Sequence, residues 1–368
     1  MSLDLKPPLN ASFLGDRLFE WYDANGRDLP WRHRWPALAP VYHLWLSEIM
    51  LQQTVVKTVI PYFLEFIGRW PRIEALASAQ VDEVLAAWAG LGYYARARNL
   101  HKTAQIIAAE HGGIFPADQK TLLELPGIGP YTASAIMVMG YGQPGVVVDG
   151  NIERVMSRFF AIETPFPRAK KDIAVAYEQC CPKTRPSDFP QALMDFANAV
   201  CTPKAPGCSI CPLANACHGY ANNLAEQLPL KTPKRQKPKR FGVVFVAINQ
   251  NGEAFLERRP DEGLLGGMLG FPSSGWAKTG WSHAHANTAD SAAPFVADWR
   301  ELHEPIHHVF THFTLEMTIY YAETDRSLIS VNTGWWQVPR PSQLPSLMRK
   351  VWKQVEISKR LKARQKKP

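Results

Sequence analysis

Apolar residues recur at helical spacing along the first part of the 368-residue chain, and short turns separate the segments. The pattern predicts one helix over 13–22, a second from about 42 through 53 towards 61, and a third over 85–91 that glycines end. Further helices follow as far as 110. Helix after helix with short connections predicts an all-α domain.

A turn rich in glycine and proline at 125–130 is predicted to end one helix and to begin another at Tyr131. Gly127 and Gly129 let the backbone approach a neighbour closely, and the helix start leaves N–H groups without partners. Such a turn suits an anion such as a DNA phosphate. The alternative interpretation is a turn that only joins two helices of a bundle.

A second break at 140–145 precedes the apolar run 146–148, which brings Asp149 to the start of another predicted helix. Asp149 is therefore expected to be a carboxylate at the end of a buried approach. The alternative is that Asp149 or Asn151 only caps this helix.

Glu48 lies within the predicted second helix, where its neighbours three and four positions away include Leu44, Trp45, Leu51 and Gln52. Burial among the three apolar ones disfavours a charged carboxylate and raises its pKa. An acid that must also act as a base near neutral pH needs this condition. The alternative is a glutamate at the edge of the core that reaches water.

The pattern changes to the period of strands after residue 240. Residues 241–248 and 253–259 are predicted to form a hairpin around the turn 249–252. A later strand is predicted over 309–321, with one face formed by Val309, Thr311, Phe313, Leu315, Met317, Ile319 and Tyr321 and the other by His312, Thr314, Glu316 and Thr318. With an amphipathic segment from Leu347, these strands predict an α/β domain.

Composition and pattern together divide the chain into four segments. A helical domain is predicted over 1–222, a basic linker over 223–240, an α/β domain over 241–355 and a basic tail over 356–368. The linker is rich in lysine, arginine and proline, so it either follows a phosphate backbone or is simply solvated.

The formal net charge of +8 favours a polyanionic partner, because aromatic residues are spread among the arginines and no basic amphipathic helix stands out. The start of the chain lacks the pattern of a secretion signal. No uninterrupted apolar run reaches about 18 residues. We therefore expect a soluble intracellular protein.

Gly90 and Gly92 precede Tyr93, and Arg96 and Arg98 follow it. Aromatic rings beside arginines at a glycine turn can stack in a duplex and hold phosphates. Ordinary packing of the tyrosine is the alternative.

Four cysteines, Cys201, Cys208, Cys211 and Cys217, fall within one loop rich in proline. They predict a metal site, because disulfides are rare inside cells. Four thiolates suit either zinc or an iron–sulfur cluster, and the spacing alone does not separate the two. The adjacent cysteines at 180–181 are expected to be packed in the core.

Three segments, 47–54, 125–132 and 148–151, together with the four-cysteine loop, resemble the helix-hairpin-helix DNA glycosylases in order and spacing. From about Leu14 to Trp352 the chain resembles the adenine DNA glycosylases of the MutY type, repair enzymes that remove adenine mispaired with 8-oxoguanine or guanine. The resemblance implies an α + α/β fold, in which an all-helical glycosylase domain with an iron–sulfur cluster loop precedes a Nudix-like α/β domain. It also implies a monomer that acts on duplex DNA in the bacterial cytoplasm, at the nucleoid.

Removal of adenine requires a protonated leaving group and a stabilised oxocarbenium ion, hence two carboxyls in different environments. By resemblance, Glu48 protonates the base and then activates water, and Asp149 stabilises the sugar cation. Asn151 orients this pair, and Tyr131 lies beside the sugar. Relatives similar to endonuclease III have a lysine at this hairpin position, which forms a Schiff base, so the tyrosine implies a monofunctional glycosylase.

The same resemblance assigns binding residues. Gln53 and Tyr93 resemble the wedges that fill the gap left by the flipped adenine. The other residues expected to bind DNA are Arg32, Gly127, Gly129, Phe310, Thr311 and His312, and the four cysteines of the loop are expected to hold a 4Fe-4S cluster.

A Nudix-like domain raises a second class of function, a hydrolase of nucleoside diphosphates. Such enzymes hold magnesium with a run of glutamates, whereas between Glu262 and Glu301 the sequence has no glutamate and only Asp290 and Asp298 as acids. We therefore expect recognition without hydrolysis. A third class, a DNA-binding protein without catalysis, would bind the mispair and release no adenine.

The segment 310–312 resembles the Phe-Ser-His loop with which the family reads 8-oxoguanine. This chain departs from that pattern at Thr311, which keeps the hydroxyl and adds a methyl group. The hydrogen bond to the lesion is therefore expected, with a geometry that the added methyl changes.

Overall fold

The structure is a computed structural model that describes residues 11–232, 236–260, 264–278, 293–324 and 334–365. The chain divides into two compact units, 1–233 and 234–368. Glu262 and Asp290 lie outside the described residues. No helix in the described ranges is long and apolar enough to cross a membrane.

The first unit is helical, as predicted. Its helices are α1 (Ala11–Asn25), α2 (Val41–Leu51), α3 (Val56–Arg69), α4 (Ile73–Ser78), α5 (Val81–Ala87), α6 (Ala95–Glu110), α7 (Gln119–Glu124), α8 (Pro130–Ala135), α9 (Gly150–Phe159), α10 (Ala169–Cys180), α11 (Asp188–Ala199) and α12 (His218–Ala221). A π-helical turn, Ile136–Gly140, continues α8, and two 3-10 turns, Cys208–Ile210 and Ala214–Ala216, lie in the cysteine loop.

Two main hydrophobic cores stabilise the helical unit. One is built from α2 to α8 around buried aromatic rings such as Trp45, Phe66 and Trp88. The other joins α1 to α9, α10 and α11 around Tyr177 and Phe196. A smaller core joins Leu44 of α2, Ala135 of α8 and Val147, which precedes α9, so these elements lie close together.

Two predicted helices extend too far. The helix predicted from 42 towards 61 is wrong, because α2 ends at Leu51 and α3 begins at Val56 after a turn in which Gln53 has a φ of 59°. The helix predicted over 85–91 ends at Ala87, before Gly90 and Gly92 adopt positive φ. These backbone conformations cannot be part of an α-helix.

The second unit contains one mixed sheet. Its described strands are β1 (Lys239–Asn249), β2 (Ala254–Arg258), β3 (Leu269–Gly270), β4 (Arg300–Glu301), β5 (Ile306–Val309), β6 (Thr314–Thr324) and β7 (Gly334–Gln337). Strands β1 and β6 pair in parallel, and the other pairs are antiparallel. The order is β3-β2-β1-β6-β4, with β5 also on β6 and β7 also on β2. Helix α13 (Ser346–Gln365) contributes Leu347, Met348, Val351 and Val355 to the larger core of this unit.

The predicted hairpin of β1 and β2 is confirmed, with Ile248 opposite Ala254. The single strand predicted over 309–321 is wrong at its start. The Phe310 N–H donates to the Phe313 carbonyl at 2.9 Å, and the chain reverses, so that β5 ends at Val309 and pairs with β6. The basic segment predicted over 356–368 is helical as far as Gln365, as the end of α13.

Candidate active site

Helix α2 buries Glu48 inside the helical unit. Every residue of α2 from Leu44 to Met50 is buried, and Glu48 is only 9% exposed. A helix that is apolar around nearly its whole circumference places even its one carboxyl in the core. The predicted burial of Glu48 is therefore confirmed, and the alternative of a glutamate at the edge of the core is wrong.

Tyr131, the second residue of α8, donates a hydrogen bond from its hydroxyl to the Glu48 carboxyl. Burial raises the pKa of Tyr131 well above its ordinary value of 10.0, and the negative charges of Glu48 and Asp149 add to this effect. Tyr131 is therefore a neutral hydrogen-bond donor at physiological pH.

The pKa of Glu48 is raised from 4.5 to about 7. The largest cause is burial, which disfavours the charged form. The hydrogen bond from Tyr131 lowers the pKa, the negative charge of Asp149 raises it, and the positive charge of Arg32 lowers it. Glu48 is thus poised between its two protonation states near neutral pH, within electrostatic reach of a second carboxylate.

Asp149 is the N-cap of α9. Its Oδ1 accepts hydrogen bonds from the backbone N–H groups of Asn151 (3.0 Å) and Ile152 (2.8 Å), and its Oδ2 accepts one from Asn151 Nδ2 (2.8 Å). Asp149 thus caps the helix, and its negative charge also raises the pKa of Glu48. The three hydrogen bonds fix its orientation.

Arg32, which we expected to contact DNA, lies beside this carboxyl pair. Its Nη1 is 2.7 Å from Asp195 Oδ2, and the side chains are 10% and 1% exposed. Arg27 also binds Asp195, with Nη2 2.6 Å from Oδ1. Sequence analysis missed Asp195 and Arg27; the available signal was an acidic residue within the apolar segment of α11.

Gln53 and Tyr93 lie in two exposed turns with unusual backbone. Gln53 has a φ of 59° and Tyr93 a φ of 49°. Positive φ in residues other than glycine costs about 1–3 kcal/mol each and persists only where surrounding structure holds it. Tyr93 is 65% exposed, so its ring is accessible to solvent.

The two glycines of the 125–130 turn differ. Gly127 has a φ of 80°, and an added Cβ would lie 3.0 Å from Asn99 Cβ, so the fold itself requires glycine. Gly129 has no such need, because a Cβ there would meet none of the described atoms within 4 Å. The open space in front of Gly129 leaves its backbone accessible to a partner.

The four predicted cysteines are free thiols that line one cavity together with Phe159, Val200 and Leu213. Arg158 binds the cysteine loop, because its Nη1 donates to Cys201 Sγ (3.3 Å) and to the Thr202 carbonyl (2.7 Å). Cys180 is buried in the neighbouring core, as expected for a packing residue.

A chain of hydrogen bonds connects this loop to Asp149. Asn151 Nδ2 donates to Asp149 (2.8 Å), Arg154 Nη2 donates to Asn151 Oδ1 (3.2 Å), and Arg154 Nε donates to the Cys201 carbonyl (2.8 Å). Arg154 is therefore a direct structural link between the cysteine loop and the carboxyl pair.

Among the described residues, no three His, Cys, Asp or Glu side chains converge closely enough to hold a single metal ion. All four cysteines line the same cavity. Burial raises the pKa of Cys211 to about 11, and the charges of the other three cysteines add to this effect. Four thiols that line a single cavity fit a metal centre with thiolate ligands in their number and type.

In the second unit, Thr311 and His312 are exposed at the turn between β5 and β6. Phe310 stacks on Trp276, with ring centroids 5.1 Å apart. Lys237 Nζ donates to the Phe310 carbonyl at 2.6 Å. Trp276 and Lys237 thus hold Phe310 at the base of the turn, and the Thr311 hydroxyl and the His312 ring at its tip stay accessible.

Comparisons with known proteins match both units. The model of the HhH-GPD superfamily base excision DNA repair proteins matches residues 46–182, and the NUDIX domain model matches 243–354. The adenine DNA glycosylase of Buchnera aphidicola subsp. Baizongia pistaciae is 38% identical over 69% of this chain and 72% of its own length. The adenine DNA glycosylase of Buchnera aphidicola subsp. Schizaphis graminum is 34% identical over 82% of this chain and 84% of its own length.

Among solved structures, a thermostable thymine-DNA glycosylase superposes with a TM-score of 0.52 at 26% identity, over 58% of this chain and 97% of that one. The predicted fold class, a helical helix-hairpin-helix domain followed by a Nudix-like α/β domain, is confirmed by the two family models. The chain is more than 30% identical to these adenine DNA glycosylases over more than two thirds of their length, and it has the two domains in order. It therefore belongs to the adenine DNA glycosylase family of base excision repair enzymes.

Proposed function

We propose that this protein is a monofunctional glycosylase that hydrolyses the bond between deoxyribose and an adenine mispaired with 8-oxoguanine or guanine in duplex DNA. The observation that carries the proposal is the buried Glu48 carboxyl, which accepts a hydrogen bond from Tyr131 and interacts with Asp149. A carboxyl with a pKa of about 7 beside a second, hydrogen-bonded carboxylate supplies the two different acids that this reaction needs.

Protonated Glu48 gives its proton to a ring nitrogen of adenine. The bond to deoxyribose then breaks, the bonding electrons leave with the neutral base, and the sugar becomes an oxocarbenium ion. Glu48, now a carboxylate, accepts a proton from water while the water oxygen bonds to the sugar carbon. The carboxyl is thereby regenerated in its protonated form, and charge is balanced over the cycle.

Asp149 provides the negative charge that stabilises the sugar cation. Asn151 supports this role, because its side-chain amide and backbone N–H both donate to Asp149. A carboxylate held by three hydrogen bonds does not need to reorient when positive charge develops, which is the usual source of electrostatic catalysis.

Tyr131 makes the enzyme monofunctional, because a phenol cannot form a Schiff base with the sugar. Its contribution is to donate to Glu48 beside the sugar. Strand nicking before alkali treatment at a rate comparable to adenine release would contradict this assignment.

Several surface features of the helical unit support DNA binding. The open backbone at Gly129 and the required positive φ of Gly127 suit a phosphate at the hairpin. The exposed Tyr93 and the exposed turn of Gln53 suit insertion into the base stack. Arg32, which pairs with Asp195 and lies within electrostatic reach of Glu48, is assigned to the extruded nucleotide.

We assign reading of 8-oxoguanine to Phe310, Thr311 and His312. The exposed Thr311 hydroxyl and His312 ring can each hydrogen-bond to a base edge. The stacking of Phe310 on Trp276 supports the turn from behind.

We assign a 4Fe-4S cluster to Cys201, Cys208, Cys211 and Cys217. A 4Fe-4S cluster is held by four cysteine thiolates, and these four cysteines line one cavity. When bound, the cluster ties the loop together, and Arg154 and Arg158 hold the loop carbonyls from the protein side.

We propose functional segments with the predicted boundaries: a glycosylase domain over 1–222, a linker over 223–240, a recognition domain over 241–355 and a basic tail over 356–368. Within the linker, Leu230 and Lys231 pair with Phe166 of the helical unit, so its first part supports that unit. We also propose that the protein acts as a monomer at the nucleoid.

A glycosylase assay on duplexes with one 8-oxoguanine:adenine, guanine:adenine or 8-oxoguanine:cytosine pair tests the proposal. We expect adenine release from the first two duplexes and no base release from the third. Tight binding of the mispairs with no release of adenine would indicate a DNA-binding protein without catalysis.

A further inference from the structure

Two strained turns of the helical unit share one partner. The first turn follows α2 and contains Gln53, and the second precedes α6 and contains Tyr93; both residues have positive φ. Such backbone is held only by strong surrounding contacts. The contacts common to both turns come from Arg96, in the first turn of α6.

Arg96 binds the end of α2 through Nη1. This nitrogen donates to the carbonyls of Ile49 and Met50, both at 2.9 Å. The carbonyls belong to the last helical turn, where they have no partner within the helix and where a positive charge is favourable. Nη2 lies 3.3 Å from the hydroxyl of Thr54, the residue that follows Gln53.

The same guanidinium binds the second turn. Nη2 donates to the carbonyls of Leu91 (3.0 Å) and Gly92 (3.3 Å), directly before Tyr93. The guanidinium carbon lies 5.7 Å from the centre of the Tyr93 ring and 5.2 Å from that of Trp88. Because both terminal nitrogens bind protein oxygens, Arg96 does not hold a phosphate, which was one interpretation of the arginines beside Tyr93.

We propose that Arg96 is a positioning residue that fixes the separation of Gln53 and Tyr93, and thereby sets how effectively the two side chains enter the base stack as adenine leaves it. The inference rests on the proposed function, in which these side chains fill the gap. A planar guanidinium serves both turns at once, whereas a lysine ammonium has one nitrogen and only three donors.

A double-mutant cycle separates positioning from a merely structural role. Single-turnover adenine release from an 8-oxoguanine:adenine duplex is measured for Arg96→Lys in the wild-type background and in a Gln53→Ala, Tyr93→Ala background. We expect a loss of about tenfold in the first background and of less than about twofold in the second, because Arg96 acts through the two side chains. Equal losses in both backgrounds would overturn the inference.

The matched control is Arg69→Lys, an arginine whose exposed side chain pairs with Glu65 on α3. Its rate should stay within about twofold of the wild type in both backgrounds.

Thermal unfolding of every variant shows whether it folds. If Arg96→Lys does not fold, Thr54→Val is used instead, because it removes one acceptor of Arg96. The loss of rate that Thr54→Val causes should also disappear in the Gln53→Ala, Tyr93→Ala background. A loss of rate that persists there would overturn the inference. A wild type that releases no adenine would instead refute the proposed function.

Discussion

The Tyr131 hydroxyl donates a hydrogen bond to the Glu48 carboxyl, and so connects α8 to the buried centre of α2. Burial raises the pKa of Glu48, while this hydrogen bond and the charge of Arg32 lower it, and the balance lies at about 7. A carboxyl at this balance can give a proton and take one back within a single reaction cycle.

Replacing Glu48 by glutamine should stabilise the protein at high pH. The pKa of Glu48 is 4.5 in its ordinary state and about 7 in the fold. Between these values the unfolded chain releases a proton that the folded protein keeps, so stability falls as pH rises from 4.5 towards 7. The Glu48→Gln variant does not lose this stability and should be roughly 3 kcal/mol more stable than the wild type near pH 8.

Urea unfolding of both proteins at low and high pH measures this difference. The gain should shrink towards zero near the ordinary pKa of 4.5. Glu65→Gln, at an exposed carboxylate paired with Arg69, is the matched control and should show little change with pH. If the stability difference between Glu48→Gln and the wild type were the same at low and at high pH, the pKa of Glu48 would not be raised in the fold.

Asp149→Asn should separate catalysis from folding. Asparagine is as good an N-cap as aspartate, so the variant should unfold within a few degrees of the wild type. Without the negative charge, single-turnover release of adenine should fall about 100–1000-fold. A variant that keeps a near-normal rate would remove the cation-stabilising role from Asp149.

The purified protein should be yellow-brown and contain about four irons per chain. Cys208→Ser should lose iron, because Cys208 is one of the four cysteines that line the cavity. Cys181→Ser, at a free cysteine that does not line it, is the matched control and should keep its iron. Tightly bound zinc in the wild type, or full iron in Cys208→Ser, would contradict the assignment.

Replacing Thr311 and His312 together by alanine should reduce the preference for 8-oxoguanine:adenine over guanine:adenine about tenfold, because each side chain offers a hydrogen bond to the lesion. Release from guanine:adenine should change little. His303→Ala, at another exposed histidine of this unit, should leave the preference unchanged. Unchanged preference in the double variant would remove the reading role from this turn.

Local patterns predicted the features that depend on neighbours in sequence. The N-cap at Asp149, the turn at Gly127 and the hairpin of β1 and β2 all follow from residue types at fixed spacing, and the structure contains them. The burial of Glu48 followed in the same way, because its helical neighbours are apolar.

Features that depend on distant contacts were not predictable in this way. Helix α2 ends at Leu51, although the apolar periodicity continues, and Arg96 from another helix binds the carbonyls of its last turn. The pair of Arg32 with Asp195 joins positions far apart in the chain. The reversal at Phe310 interrupts an alternating pattern that reads as one strand, because β5 folds back on β6.

The most direct test is single-turnover adenine release by the wild type and by Glu48→Gln on a duplex with one 8-oxoguanine:adenine pair. Glutamine keeps the shape of the side chain and cannot give or take the proton. The variant should therefore bind the duplex and release adenine about 100–10000-fold more slowly than the wild type. Release by Glu48→Gln at close to the wild-type rate, with the protein folded and bound to DNA, would contradict the account.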